Sequence, residues 1–128
     1  MLRDKPVAAT LAVSDLDRAR DFYENTLGLE VRSEIPGAML YSSGGAVVLV
    51  YPSEYAGTNK ATAASWAVGD EFDALVDDLR SKGVVFEHYD DLPETVREGD
   101  VHIMGSDFKS VWFKDPDGNI LNLANMPA

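Results

Sequence analysis

The chain has 128 residues, no cysteine, and a net charge of −11 from 22 acidic and 11 basic side chains. This length suits one domain that buries its own core, and the lack of cysteine excludes disulfides, thiolate nucleophiles and cysteine-ligated zinc. The acidic balance argues against nucleic acid as a partner, and without a long apolar run or a secretory signal we expect no membrane partner and a cytoplasmic location.

The first half predicts the order strand, helix, strand, strand, strand. Alternating side chains over residues 7–13 predict a strand with two different faces. Ser14 is the predicted N-cap of a helix over about residues 15–27, and Gly28 is its predicted left-handed C-cap. Three further predicted strands lie at residues 29–35, 39–41 and 46–51, with turns at Pro36-Gly37 and Ser43-Gly44-Gly45.

The second half repeats this order after a linker at about residues 52–61. A strand through Thr62 to Val68 precedes a helix that ends at Gly83, and Val84-Val85-Phe86 begins the next strand. The segment from Tyr89 to about Gly105 is long and polar, which predicts a lid or a pocket rim. Two final strands, at residues 108–113 and 119–123, enclose the turn Asp115-Pro116-Asp117-Gly118.

An internal repeat with an offset of 55 residues supports two equivalent units. Val13-Ser14-Asp15, Ala19 and Gly28 return as Val68-Gly69-Asp70, Ala74 and Gly83. Each set occurs where a strand passes into a helix and where that helix ends. The repeat therefore predicts an internal pseudo-two-fold, with the functional site enclosed by the two halves.

These motifs together resemble the vicinal oxygen chelate superfamily, which includes glyoxalase I, extradiol dioxygenases and bleomycin-resistance proteins. The resemblance is carried by Val13-Ser14-Asp15-Leu16, Phe22-Tyr23, Leu27-Gly28-Leu29, the unit from Val68 to Gly83, and Phe113-Lys114-Asp115-Pro116-Asp117-Gly118-Asn119. It implies an α+β fold in which two βαβββ modules form a cupped mixed sheet around a central cavity. It also implies a homodimer, and one domain over residues 1–128 with module one at about 5–52 and module two at about 62–126.

The resemblance also identifies the positions at which the family's enzymes carry metal ligands, on the first and last strand of each module. In this chain those positions are Ala8, Leu49, Ala63 and Asn122, and a one-residue slip in the first half gives Val48 or Val50 instead of Leu49. A catalytic transition metal needs about three imidazole or carboxylate donors, and an amide alone is a weak ligand. We therefore expect neither a metal nor another cofactor.

Strand alternation and the resemblance together predict a pocket with small and apolar walls and a few polar groups. Its predicted members are Ala8, Thr10, Ala12, Tyr41, Leu49, Tyr51, Ala63, Ser65, Ala67, Trp112 and Asn122, with Tyr55 and His102 at the rim. The expected partner is a small organic ligand of cationic or aromatic character. The alternative interpretation is that larger neighbours or a dimer partner fill this face.

Three functional classes follow from this pattern. The first is a metal-independent binding protein that sequesters a small molecule, similar to the bleomycin-resistance branch. The second is a divergent lyase or dioxygenase, or a metal-free catalyst using His102 or Asn122. The third is a degenerate domain that associates with a partner. Loop histidines such as His88 and His102 are usually solvated, so we assign no catalytic residue and favour the first class.

Overall fold

The computed structural model describes residues 1–127, and the chain divides into two compact units. The first unit comprises Met1–Ala63 and Asp115–Asn119, and the second comprises Ala64–Lys114 and the segment from Ile120 onward. Each unit contains one β-sheet and one main helix. The α+β class predicted from the sequence is confirmed, whereas the assignment of both modules to a single domain stays a prediction.

The first unit has the predicted order strand, helix, strand, strand, strand. Its strands are β1 (Ala9–Val13), β2 (Glu30–Ile35), β3 (Ala38–Ser43) and β4 (Ala46–Pro52), and its helix α1 (Leu16–Arg20) continues as a π-helical segment (Asp21–Thr26). The sheet order is β1-β4-β3-β2, with β1 parallel to β4 and the other pairs antiparallel.

One face of this sheet forms the core of the first unit. Alternate residues of three strands are buried there with two residues of the helical segments, and they are Leu11, Val13, Met39, Tyr41, Val48, Val50, Ala19 and Tyr23. The rings of Tyr23 and Tyr41 stack with centroids 6.2 Å apart. Each fully buried apolar side chain of this size contributes about 1.5–3 kcal/mol, so the helix is held mainly by this face.

The start of α1 differs from the sequence prediction. Asp15, not Ser14, is the N-cap, and its side chain accepts hydrogen bonds from the backbone N–H groups of Asp17 and Arg18. Ser14 instead uses its N–H and hydroxyl to bind the carboxylate of Asp117. Because Ser14 is hydrogen-bonded to Asp117, the following residue, Asp15, caps the helix.

The second unit has a five-stranded sheet of order β5-β9-β8-β7-β6. Its strands are β5 (Thr62–Ala67), β6 (Thr95–Glu98), β7 (Val101–Met104), β8 (Phe108–Lys114) and β9 (Ile120–Ala124), and its helix is α2 (Phe72–Ser81). A 3₁₀ turn at Gly69–Glu71 precedes α2. Within residues 1–127, no helix has the length and apolar character needed to cross a bilayer.

Helix α2 lies on the side of β8 that carries its odd-numbered residues. Lys109 of β8 forms an ion pair with Asp73 of α2 at 3.7 Å. The guanidinium of Arg80 lies over the ring of Phe86, which in turn packs edge-on against Phe113 of β8. The even-numbered residues of β8 therefore point to the opposite face, which we call the His102 face after its central residue.

Two sequence predictions for the second unit are wrong. The expected strand at Val84-Val85-Phe86 is reduced to an isolated bridge between Phe86 and Phe113. The segment from Tyr89 to about Gly105, expected as a loop, contains the antiparallel hairpin of β6 and β7. Its alternation is hidden because the residues on one face are polar, including Arg97 and His102, which pair directly across the hairpin.

Candidate functional site

The first unit leaves the second face of its sheet uncovered by α1. Thr10 pairs with Leu49 and Ala12 pairs with Tyr51 across β1 and β4, so these predicted pocket residues share this face. Thr10 is exposed and the other three are half-buried. Ala8 lies directly before β1. This face therefore combines the apolar side chains of Ala12 and Leu49 with the hydroxyls of Thr10 and Tyr51.

Tyr41 does not belong to this face, which corrects its assignment to the predicted pocket. It pairs with Val48, is fully buried under α1, and donates a hydrogen bond from its hydroxyl to Glu24 at 2.8 Å. Leu40 pairs with Leu49 and therefore lies on the face that was expected to carry Tyr41. Burial, followed by the Glu24 hydrogen bond, raises the pKa of Tyr41, so its hydroxyl stays protonated.

The turn between β3 and β4 determines which face of the sheet Tyr41 occupies. Ser43 pairs with Ala46, so only Gly44 and Gly45 form the loop, and both have positive φ angles of 54° and 82°. Two-residue loops with positive φ at both positions are the favoured hairpin turns. A two-residue Gly44-Gly45 loop places Tyr41 opposite Val48 on the buried face, whereas a three-residue turn that includes Ser43 would place it opposite Val47 on the other face.

The turn that joins β8 to β9 is a buried structural element of the first unit. The Asp115 carboxylate is 4% exposed and accepts hydrogen bonds from the Tyr23 hydroxyl at 2.7 Å, the Asn119 side-chain amide at 2.8 Å, and the backbone N–H groups of Asp117 and Asn119. The Asn119 amide also donates to the carbonyl oxygen of Ala12 at 2.7 Å. Burial and the Asp115 charge raise the pKa of Tyr23, so this hydroxyl remains a donor.

The residues at the family's metal-ligand positions do not fit a metal ion. Ala8, Leu49 and Ala63 have hydrocarbon side chains without a donor atom. Asn122 uses its amide NH₂ on the carbonyl oxygens of Val111 and Leu123, at 3.0 and 3.4 Å. Among residues 1–127, no group of three or more His, Asp or Glu side chains is placed to hold a metal.

The predicted site residues of β5 differ in exposure from Asn122 of β9. Ser65 and Ala67 are exposed and Ala63 is half-buried, whereas Asn122 is only 6% exposed. Asn122 pairs with Trp112 across β8 and β9. Because both amide hydrogens of Asn122 are used by backbone, only its carbonyl oxygen is left to contact a ligand.

Sequence reasoning placed His102 at the rim, but the structure places it inside a cluster of aromatic rings. His102 is 1% exposed and pairs with Ser110 of β8, two residues from Trp112 on the same face. Its ring meets the Trp112 ring edge-on with centroids 4.9 Å apart, and the Tyr89 ring lies 6.1 Å away. The His102 face thus comprises His102, Ser110, Trp112, Asn122 and Ala124.

The protonation state of His102 follows from its contacts. The backbone N–H of Tyr89 donates to Nε2 at 3.0 Å, so Nε2 is the acceptor nitrogen and the proton of the neutral ring lies on Nδ1. Nδ1 is buried and makes no hydrogen bond of good geometry, although the backbone of Ser110 interacts with the ring. Burial lowers the pKa of His102, and the charges of His88 and Arg97 lower it further, whereas a weak hydrogen bond with the Ser110 backbone and the charge of Asp90 raise it. We therefore expect a neutral ring at neutral pH.

The other predicted rim and loop residues lie in ordinary surface settings. Tyr55 is 70% exposed in the first unit. His88 binds Asp100 at 2.9 Å, and Asp100 also pairs with Arg80 of α2 at 2.9 Å. The hydrogen bonds from His88 and Arg80 lower the pKa of Asp100. This exposed network ties the β6–β7 hairpin to α2 and offers no enclosed reaction site.

The strand orders and helix positions define a class of α+β proteins built from two small mixed sheets. The chain belongs to the glyoxalase/bleomycin resistance protein/dioxygenase superfamily, whose family profile matches residues 5–123. The family recognised from the sequence is therefore confirmed. A search of curated proteins found no match.

Solved structures share the fold at low sequence identity. FosX from Listeria monocytogenes, a fosfomycin resistance protein complexed with Mn(II) and sulfate, has a TM-score of 0.72 and 17% identity over 99% of this chain and 93% of its own. Lactoylglutathione lyase from Agrobacterium tumefaciens has a TM-score of 0.69 and 19% identity, over 97% and 95%. A glyoxalase/bleomycin resistance protein/dioxygenase from Alicyclobacillus acidocaldarius has a TM-score of 0.69 and 21% identity, over 94% and 90%. At these identities the likeness shows the fold alone.

Proposed function

We propose that this chain is a small-molecule-binding member of its superfamily that works without the metal ion of the family's enzymes, and that it sequesters its ligand. The observation that carries the proposal is chemical. Three of the four positions matching metal ligands, Ala8, Leu49 and Ala63, have no donor atom, and the fourth, Asn122, offers one neutral oxygen. Metal-dependent chemistry needs about three fixed donors.

The surfaces that would receive a ligand support binding. The uncovered face of the first sheet carries half-buried Leu40, Leu49 and Tyr51 beside the exposed hydroxyl of Thr10. Apolar area with a few polar anchors is the usual composition of a small-molecule site. The net charge of −11 favours cationic over anionic ligands.

Metal content gives the first test. We expect the purified 128-residue chain to contain far less than one equivalent of Mn, Fe, Ni or Zn by elemental analysis, and added MnCl₂ or ZnCl₂ to leave its melting temperature unchanged. Any ligand that binds only the folded chain at about 100 times its Kd adds about 2.7 kcal/mol of stability. A stoichiometric metal, or stabilisation of that size by either salt, would favour the divergent metal-dependent lyase or dioxygenase instead.

Ligand binding gives the second test, with the planar aromatic cation proflavine as the first probe. We expect proflavine to raise the melting temperature and Leu49→Arg to weaken its binding by about 10-fold, which corresponds to about 1.4 kcal/mol. Val85→Arg is the matched control, since it adds the same charge at a side chain that is 79% exposed. Failure of proflavine and of a panel of aromatic metabolites to bind would favour a degenerate interaction domain.

The proposal extends to assembly and location, as a cytoplasmic homodimer with a role in antibiotic resistance. Sedimentation equilibrium of the 128-residue chain tests the dimer, for which we expect about twice the 14.0 kDa mass of one chain. A concentration-independent monomer would contradict it. Expression in a sensitive bacterium, compared with Leu49→Arg, tests for protection by sequestration.

A further inference from the structure

A β-bulge in β2 determines which side chain lies at the outer end of the uncovered face of the first sheet. Val31 pairs with Tyr41 and Ser33 pairs with Leu40, so Arg32 between them has no partner of its own in β3. Regular pairing without the bulge would place Arg32 opposite Leu40. Bulges are frequent next to functional sites, where they redirect a side chain. Here the bulge places a hydroxyl, rather than a guanidinium, opposite Leu40.

Ser33 completes a row of paired side chains that crosses the whole sheet. Leu49 pairs with Thr10 on one side and with Leu40 on the other. Leu40 pairs in turn with Ser33. The two leucines are half-buried, and the hydroxyl side chains at the two ends are exposed. Neighbouring strands lie about 4.8 Å apart, so the Cα atoms at the two ends of the row lie about 14 Å apart.

Both hydroxyls are available to a ligand. The Thr10 hydroxyl makes one long hydrogen bond, to the carbonyl oxygen of Ala8 at 3.4 Å. Ser33 lies in an edge strand, and within residues 1–127 its side chain forms no hydrogen bond. A hydroxyl can both donate and accept. A hydroxyl or an amino group of a ligand can therefore bind at either end of the row.

The centre of the row is apolar, and its neighbours on the same face are uncharged. By strand alternation, the residues that flank the two leucines on this face are Val47, Tyr51, Ala38 and Ser42. Glu30 pairs with Ser42 and lies in the edge strand. An aromatic body therefore fits over the two leucines, whereas Glu30 and the acidic chain repel an anion.

We propose that the uncovered face binds a flat, elongated aromatic compound with a hydrogen-bonding group at each end, its rings over Leu40 and Leu49 and its end groups on the hydroxyls of Thr10 and Ser33. This inference rests on the proposed function in small-molecule binding and names the class of ligand and the residues that select its length. A compound with a polar group at one end only keeps the apolar contact but loses one hydrogen bond, so it binds more weakly.

The test compares three flat probes that share one framework: trans-4,4′-dihydroxystilbene, trans-4-hydroxystilbene and trans-stilbene. We expect the affinity of the 128-residue chain, measured by fluorescence titration, to fall about 5-fold with each hydroxyl that is removed from the probe. Removing a hydroxyl also makes the probe more apolar, so apolar contact alone predicts the opposite trend. Equal affinities for the three probes, or tightest binding of trans-stilbene, would overturn the inference.

Variants at the two ends of the row locate the same contacts. Thr10→Val and Ser33→Ala each remove one hydroxyl at an exposed position, so we expect both variants to fold. Each should weaken dihydroxystilbene by about 5-fold and change trans-stilbene by less than about 2-fold. Ser106→Ala is the matched control, because it removes an exposed hydroxyl in the turn between β7 and β8. It should change the affinity for either probe by less than about 2-fold.

The outcomes separate the two proposals. Proflavine binding that Leu49→Arg weakens, with no stilbene binding or with equal affinities for the three stilbenes, would overturn the ligand class and leave the proposed function in place. Dihydroxystilbene binding that Thr10→Val and Ser33→Ala do not weaken more than Ser106→Ala would place the probe elsewhere and overturn the row as its site. If neither proflavine, nor a stilbene, nor any panel compound binds, the proposed function itself fails.

Discussion

Asp115 shows how a single residue can hold the first unit together. Its buried carboxylate receives hydrogen bonds from two side chains, Tyr23 and Asn119, and from two backbone N–H groups of its own turn. A buried carboxylate is tolerated only when its oxygens are satisfied in this way. Asp115 of this turn therefore stabilises the first unit by satisfying buried donors from a helical segment and from its own turn.

Replacing the buried hydroxyl in this network gives a prediction for one residue. Tyr23→Phe removes the 2.7 Å bond to Asp115 and leaves a buried charge short of one donor. Hydrogen bonds to charged groups contribute about 1.5–3 kcal/mol, so we expect the free energy of unfolding to fall by about that amount in urea titrations. Tyr55→Phe, at a side chain that is 70% exposed, is the control and should change stability by less than about 0.5 kcal/mol. Equal losses in both variants would contradict the role of Asp115.

Strand alternation alone decides the face of the predicted pocket residues on β1 and β4. Thr10, Ala12, Leu49 and Tyr51 share the predicted face because β1 and β4 are regular. Tyr41 was misplaced because its face depends on the length of the Gly44-Gly45 turn, and one residue of error reverses the face. The burial of His102 could not be predicted, since it depends on ring contacts with Tyr89 and Trp112.

At the scale of elements, the 55-residue repeat is accurate for helix ends and inaccurate for helix starts. Gly28 and Gly83 both have positive φ angles, 70° and 88°, as left-handed C-caps require. Asp15 caps α1, whereas its counterpart Asp70 lies in a 3₁₀ turn and caps nothing. The two units thus share their stop signals but begin their helices differently.

This asymmetry predicts different costs for two equivalent substitutions. Asp15→Ala removes the acceptor for the N–H groups of Asp17 and Arg18, and we expect a loss of about 0.5–2 kcal/mol in the free energy of unfolding. Asp70→Ala makes the same change in charge at a position without a capping bond and should cost less than about 0.5 kcal/mol. Chemical denaturation of the two variants side by side measures the difference. Similar costs would mean that charge, and not capping, sets the effect.

The linker near residues 52–61 makes a close backbone contact with the turn between β8 and β9, which the composition of the linker does not predict. Gly57 has a φ of 75°, and a Cβ built there would overlap the backbone carbonyl oxygen of Asp117. The linker therefore packs directly against the turn that contains Asp115 and Asp117. Glycine is required for this close approach as well as for the backbone conformation.

A pair of glycine substitutions separates these two requirements. Gly37 has a similar φ of 78°, but a Cβ there meets nothing within 4 Å. Both Gly57→Ala and Gly37→Ala incur the strain of a left-handed alanine, about 1–2 kcal/mol. We expect Gly57→Ala to cost a further 1–3 kcal/mol or so, as overpacking does, in urea denaturation. A smaller loss for Gly57→Ala than for Gly37→Ala would refute the contact.

Most elements could be read from the sequence, and the exceptions share a cause. The strands and helices with apolar periodicity, such as β4 and α2, occur where they were predicted. The β6–β7 hairpin was missed because His102 is buried by aromatic neighbours and Arg97 is paired with Asp90, so both look like loop residues in the sequence. Polar residues satisfied by long-range contacts carry no periodic hydrophobic signal.

At the scale of the whole molecule, the acidic composition and the buried histidine respond to pH in different ranges. Carboxylates titrate mainly near pH 4, so little of the net charge of −11 is neutralised between about pH 7 and pH 5. Histidine titrates within that interval when its pKa is near the ordinary value of about 6.5. The pH dependence of stability in this range therefore reports on histidine more than on overall charge.

The direction of that dependence follows from the lowered pKa of His102 in the folded chain, whose first cause is burial. As the pH falls below about 6.5 the unfolded chain binds a proton before the folded chain does, so the stability present at higher pH is progressively lost. We expect the free energy of unfolding to fall between about pH 7 and pH 5. The ionic strength is held at about 0.15 M, where the Debye length is about 8 Å, so that screening of charges is the same at every pH. The loss should be smaller in His102→Gln, which cannot titrate. If the variant and the wild type lose stability in parallel, His102 is not held neutral in the folded chain, and its Nδ1–H is not the fixed donor that the ring geometry indicates.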